Sequence, residues 1–435
     1  MFQFVIWERM IHMDSIKPLE QTIYTYMEKE KIPGLAVAVW KDDEMVYEKG
    51  FGYADKEQKT EVTPNTIFGV ASITKSFTTL TIMRLAKEGK LHIEDSVQQY
   101  LPAFTLQDDR YVKDIKIKHL MSHTSGVATY KRIQSFNTFE EHLAYLKDAK
   151  TPILGKPGTY FCYNNDLFLL LGAIIEKVTG KDYRGVIEEM ILKPYGMERT
   201  TFYVDEVLQM DDVSAPYELQ GDEAIRCEWP KIGNYAVGGG IRSNVRDLIK
   251  YGKHFLTEDD KMRKPEYLIR GTTSYGYGLQ ITEQYSHRTL IEHGGSQPGV
   301  SSNFGFIPEE NLVVAVLTNV NGASAADIWL HIVNAFCGLP LQQKRLIQPH
   351  YELNHEAFER FIGMYATGEG SFIEIRSNKI QLEAVIDGEV YRLRASNEEI
   401  LVIEKDEHPI RFYFNENQQA WAVLVGMRMF LRQED

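Results

Sequence analysis

The chain has 435 residues, 43% of them apolar and 25% charged, which is the balance of a globular protein with material for about two folding units. A formal net charge of −13 without a dense Lys/Arg run excludes a general polyanion partner, so no nucleic acid is expected. Its cysteines, Cys162, Cys227 and Cys337, are odd in number and far apart, so they read as reduced thiols and not as a disulfide framework or zinc knuckle.

Met1–Trp7 is apolar but meets Glu8 and Arg9 too early for a membrane span or a secretory core, so the expectation is a cytoplasmic protein with no membrane span, an extracytoplasmic location being the alternative and Met13 an alternative start. Ile16, Leu19, Ile23 and Met27 fall at helical spacing and predict a helix to Glu30. Gly34–Lys41 is a dense apolar run, Asp42-Asp43 a turn, and Met45–Tyr47 a second run, together a buried hairpin. Ser72–Glu88 reads as a helix stopped by Gly89, and residues from Leu91 to about Met190, including Leu167–Val178, carry helical patterns that predict an all-helical lobe. Short apolar runs at Tyr277–Thr282, Thr289–Glu292, Ser301–Ile307 and Leu312–Thr318 read as strands that pair with the first hairpin, and Ala325–Phe336 as a helix. Beyond a linker marked by Gly338, Pro340 and Pro349, alternating segments at 372–376, 390–393, 400–403 and 411–414 predict an appended all-β module, a small barrel or sandwich. The expected fold class is therefore α+β: an antiparallel sheet flanked by helices with a helical lobe over residues 1–340, and the β module over 341–435.

Ser72 sits where a helix should begin, and an N-cap is the plainest reason for a serine there. Lys75 is harder to place, because a cation in the first turn opposes the helix dipole and no Asp or Glu lies within 72–76 to offset it. A lysine so placed is expected to have a lowered pKa and to accept a proton, and its spacing of three puts it on the face of Ser72. Capping and catalysis both remain open for the pair alone. Further along, Tyr163-Asn164-Asn165 follows Pro157-Gly158-Thr159 in a loop leading to a helix, and His293-Gly294-Gly295 opens a Gly-rich turn. Taken singly, Tyr163 reads as core, the asparagines as a turn and the glycines as a hairpin corner. His119 and His123 are four apart but lack the intervening Glu of a zinc hydrolase, and Gly238–Gly240 lacks the Lys-Ser/Thr of a phosphate loop, so no metal and no cofactor is expected. G-x-S-x-G occurs nowhere, which leaves a nucleophile elbow unsupported.

In order along the chain, Ser72-Ile73-Thr74-Lys75, Tyr163-Asn164-Asn165 and His293-Gly294-Gly295 resemble the S-x-x-K, Y-x-N and third Lys- or His-Gly motifs of class C β-lactamases, penicillin-binding DD-peptidases and related esterases. Gly50–Ala54, His119–Gly126 and Gly238–Ser243 also look like that family's phrases, and the resemblance spans roughly residues 20–335. It implies a serine hydrolase working through an acyl-enzyme on Ser72, with Lys75 and Tyr163 as proton-handling groups. Asn165, His293, Gly294, Gly295 and Ser296 are implied as substrate-binding and oxyanion residues. The implied substrate is a small molecule or peptide, cleaved at an amide, peptide or ester. A relative that acylates with little turnover, a binding or sensing protein, is the alternative reading. His293 stands where other members carry Lys, and a histidine only partly charged near neutral pH weakens the case for β-lactams and D-amino-acid carboxylates. The oligomeric state is left open.

Overall fold

The computed structural model describes residues 2–257, 261–378 and 380–433. They form two compact units, one drawn from residues 1–90, 175–265 and 276–345, the other from 91–174, 266–275 and 346–435.

The first unit is organised by an antiparallel sheet. A helix, α1 (Phe2–Lys29), precedes strands β1 (Gly34–Lys41), β2 (Glu44–Asp55) and β3 (Thr60–Glu61), and helix α2 (Thr74–Lys87) follows. Later come α3 (Val245–Thr257), β4 (Gln280–Tyr285), β5 (Arg288–Gln297), β6 (Val300–Ile307), β7 (Leu312–Thr318) and α4 (Ala325–Phe336). Within this unit the strand order is β3-β2-β1-β7-β6-β5-β4, so the last long strand pairs with the first, Val37 opposite Val316. Asp42 and Asp43 join β1 to β2 with φ of 49° and 68°, the left-handed pair that matches the twist of a hairpin and that short polar side chains tolerate.

β1 and β7 are buried along almost their whole length because helices cover both faces. Leu35, Val37, Val39, Val314 and Val316 join residues of α1 and α4, Trp329 included, in one core. The alternate residues face α3, where a side chain on Gly252 would stand 2.3 Å from Val313, so the helix lies close only because that position is glycine.

The second unit combines the helical lobe with a closed barrel. The lobe is made of short helices, among them Ile117–Met121, Phe139–Asp148, Asn165–Phe168 and the first part of Leu170–Thr179, joined by long irregular stretches. The single helix expected over Leu167–Val178 is broken after Phe168. Strands β8 (Gly363–Ala366), β9 (Phe372–Ser377), β10 (Leu382–Ile386), β11 (Glu389–Ala395), β12 (Ile400–Ile403), β13 (His408–Phe414), β14 (Ala420–Val425) and β15 (Arg428–Arg432) run in sequence order and close where β8 pairs with β15. The module is thus a barrel and not a sandwich. Tyr365, Ile375, Ala384, Ile410 and Phe412 fill its interior. Its outer face carries a second apolar cluster, in which Ala422, Leu424 and Met429 enclose Phe161, Cys162 and Tyr163 of the lobe.

Candidate active site

In the first unit the chain enters the site through a strained residue. Ala71 is buried with φ of 45°, in the left-handed region that a β-carbon disfavours, and it opens a 3₁₀ turn, Ala71–Ile73, ahead of α2. The helix therefore starts at Thr74 and not at Ser72, and its N-cap, Ile73, caps with no side chain. Ser72 is not a cap. Its Oγ accepts from Lys75 Nζ at 3.3 Å, and Nζ also donates to the Gly238 carbonyl at 3.1 Å. Lys75 is 1% exposed, an unusual burial for a lysine.

Gly238 lies in the short helix Ala236–Gly239, and a β-carbon there would stand 2.8 Å from Lys75 Nζ. Two further bonds dock this helix on α2: Thr78 Oγ1 donates to the Val237 carbonyl at 2.6 Å, and Ile241 N–H donates to Thr74 Oγ1 at 3.1 Å. The glycine run that makes a poor phosphate loop thus supplies an acceptor for the lysine.

β5 packs against the Ala71–Ile73 turn and carries His293, Gly294, Gly295 and Ser296. A side chain on Gly295 would meet the Val70 carbonyl at 2.4 Å and Ala71 Cβ at 3.0 Å, so this glycine permits the strand to approach the serine turn. Ser302 Oγ on β6 donates to the same Val70 carbonyl at 2.9 Å. Ser296 is exposed at the end of the strand, where it pairs with Ser301.

His293 corrects an expectation. Its ring is 1% exposed, Nδ1–H donates to the Gly294 carbonyl at 2.6 Å, and burial together with the neighbouring Lys75 pushes its pKa down to about 3. It is neutral throughout the physiological range and not partly charged. The residue before it, Glu292, is also buried and is held by Arg345 through two 2.9 Å contacts and by Asn303 Nδ2 at 2.8 Å, which fixes the strand at this point.

Tyr163 and Asn165 belong to the second unit. Asn164 caps the helix Asn165–Phe168 by accepting from Leu167 N–H at 3.0 Å, and its own N–H donates to His123 Nδ1 at 3.2 Å. The His123 ring lies 4.1 Å from that of Tyr163, centroid to centroid. His119 Nδ1 accepts from Lys116 N–H at 3.1 Å, so each of these histidines spends a ring nitrogen on the backbone. Burial lowers the His119 pKa to about 4.

The barrel supplies further neighbours of Tyr163 and Asn165. Tyr163 N–H donates to the Met427 carbonyl at 3.3 Å, and the Arg428 guanidinium stands 4.6 Å from the Tyr163 ring centroid. Asn165 Nδ2 donates to Glu369 Oε1 at 3.2 Å, and the other Glu369 oxygen pairs with Arg428 Nε at 3.0 Å. Ala71, Gly238, Glu369 and Arg428 were given no role from the sequence. Of these, only the Gly238 run carried a signal there.

The family model described as Beta-lactamase matches residues 19–335. Protein flp of Staphylococcus aureus (strain MW2) is 29% identical over 336 residues, covering 73% of this chain and 66% of that protein, so the chain spans just under two thirds of that relative's length. Penicillin-binding protein 4* of Bacillus subtilis (strain 168) is 24% identical over 405 residues, covering 86% of this chain and 88% of that one. Among solved structures, the octameric penicillin-binding protein homologue from Pyrococcus abyssi aligns over 96% of this chain and 100% of its own, with a TM-score of 0.70 and 27% identity.

Proposed function

We propose that this chain, which belongs to the Beta-lactamase family, hydrolyses an ester, amide or peptide through an acyl-enzyme on Ser72. The observation that carries the reading is the buried Lys75 amine 3.3 Å from Ser72 Oγ, steadied by the Gly238 carbonyl. Ser72 Oγ attacks the substrate carbonyl and Lys75 Nζ takes its proton. The tetrahedral intermediate collapses, the acyl–heteroatom bond breaks, and the proton passes to the departing alcohol or amine with Tyr163 Oη as partner. Water then adds to the acyl-Ser72 ester, gives a proton back through the same groups, and releases the acid and free serine. Backbone N–H groups of Ser72 and Ser296 hold the oxyanion, each contributing about 3 kcal/mol at the barrier. Asn165 holds the amide carbonyl of the acyl part.

A neutral His293 favours acyl groups that need no cation at that strand: simple esters, amides and uncharged acyl compounds. Treating the purified protein with a fluorophosphonate and with a fluorescent penicillin, then mapping the adduct by mass spectrometry, tests the nucleophile. The expected adduct is on the Ser72 peptide, and no adduct with either reagent refutes the reading. Steady turnover of a chromogenic ester separates a hydrolase from a protein that acylates once, which gives a stoichiometric burst and no more.

A further inference from the structure

Two turns of the barrel are built to reach the Tyr163–Asn165 segment. The turn between β8 and β9 carries Glu369 and is tied across its mouth by Thr367 N–H to the Ser371 carbonyl at 2.8 Å and by Ser371 N–H to Thr367 Oγ1 at 3.2 Å. Its preceding residue, Gly368, lies so close to the lobe that a β-carbon there would stand 1.8 Å from the Thr129 carbonyl, while its N–H donates to Thr129 Oγ1 at 3.0 Å. Only glycine allows that approach. The turn between β14 and β15 places Gly426 at φ 59°, then Met427, whose carbonyl accepts from Tyr163, and then Arg428.

The two side chains so delivered form one unit. Glu369 is mostly covered, its side chain 17% exposed, and it spends one oxygen on Asn165 Nδ2 and the other on Arg428 Nε. Arg428 in turn lies over the Tyr163 ring, and its Nη1 donates to the Tyr163 carbonyl at 3.4 Å. A carboxylate only accepts, so Glu369 fixes which end of the Asn165 amide is the donor and leaves its second N–H to a substrate carbonyl. The planar Arg428 fork restrains Tyr163 through its ring and its backbone together. An ion pair this close to solvent adds little to stability, which makes its arrangement around two family-motif residues the informative feature.

We infer that Glu369 and Arg428 are positioning residues of the hydrolase, and that through Asn165 they set its selectivity for acyl groups bearing an amide carbonyl. The barrel is thereby part of the enzyme's substrate-recognition apparatus. The inference rests on the acyl-enzyme reading above. It separates an N-acetyl-amino-acid ester, whose amide carbonyl Asn165 can hold, from a plain acetate ester that has none.

The test uses the full chain with kcat/KM measured on both esters. Glu369→Ala and Arg428→Met are expected to lower the ratio of the two kcat/KM values about tenfold, the size of one misdirected hydrogen bond. Glu369→Gln, which has a single acceptor oxygen for the two donors Asn165 Nδ2 and Arg428 Nε, is expected to lower the ratio less than Glu369→Ala does. The double variant Glu369→Ala/Arg428→Met is expected to fall no further than the worse single change, as coupled residues do. A ratio unmoved in Glu369→Ala or in Arg428→Met overturns the inference. Fluorophosphonate labelling of Ser72, run in parallel on every variant and on the wild type, reports whether the acyl-enzyme reading itself holds: an unlabelled wild type sinks that reading, whereas labelled variants with an unchanged ratio sink only this one.

Discussion

Replacing Gly238 by alanine isolates the lysine from the rest of the fold. The new β-carbon stands 2.8 Å from Lys75 Nζ and 3.2 Å from Cε, against an ordinary contact of 3.4 Å or more, so the amine must retreat by about half an ångström. Nζ is already 3.3 Å from Ser72 Oγ, near the outer edge of a useful proton-transfer distance, and a shift of that size spoils the one position in which it meets both the serine and the Gly238 carbonyl. Misplacement on this scale costs about 10- to 100-fold in turnover, or about 1.4–2.7 kcal/mol at the barrier. The fold has no reason to suffer equally, since Gly238 is helical and alanine gains up to about 1 kcal/mol of helix propensity there. The assay pairs ester turnover with a thermal melt. A variant that melts like the wild type and turns over within twofold of it refutes the placement of Lys75 as the working amine.

Lys75→Ala and Tyr163→Phe are each expected to slow ester turnover about a hundredfold or more, as removal of an acid–base group does, and wild-type rates in steady-state assays remove that residue from the mechanism. Gly295→Ala drives a methyl group into the Val70 carbonyl and Ala71, so it is expected to lower the melting temperature and to slow fluorophosphonate labelling of Ser72 together. His293 gives a pH prediction. Its folded pKa, about 3, lies below the unfolded value of about 6.5, so the unfolded chain binds the extra proton between those values. Stability from this site is complete above pH 6.5 and falls as pH drops towards 3, at up to about 1.4 kcal/mol per pH unit. Denaturant melts from pH 7 to 4 are expected to show a shallower acid loss in His293→Asn than in wild type, and equal slopes contradict the assignment.

Those residues differ in how openly the sequence declares them. Local chemistry wrote the strands and turns plainly: the apolar run Gly34–Lys41 can only be a strand covered on both sides, and Asp42-Asp43 supplies the polar pair a tight hairpin requires. The central strand β7 and helix α4 fell within the expected bounds for the same reason. The barrel was harder, because in β8, β10, β14 and β15 the alternation is diluted by glycine, alanine and arginine. At the site, S-x-x-K was visible as a misplaced cation, but the 3₁₀ turn was not: nothing in Ala71 announces a positive φ, which tertiary packing against β5 imposes. Glu369 and Arg428 lie some two hundred residues and more from Tyr163 in the chain, and no local pattern ties an acidic turn or an edge arginine to a distant tyrosine.

His293 shows why composition of a motif is not yet its electrostatics. A histidine in place of a lysine reads in sequence as a cation made intermittent, switching near neutrality. Burial removes it from that range, because an imidazolium without water pays the desolvation penalty in full. The Lys75 amine beside it pushes the same way, since a proton on either base opposes a second on the other. A lysine at 293 would hold its charge through neutrality only by bringing water or a carboxylate with it, and β5 at that point is packed and paired. The histidine therefore keeps a positive charge out of the strand next to Ser72, and leaves Lys75 as the base whose proton the serine turn must manage.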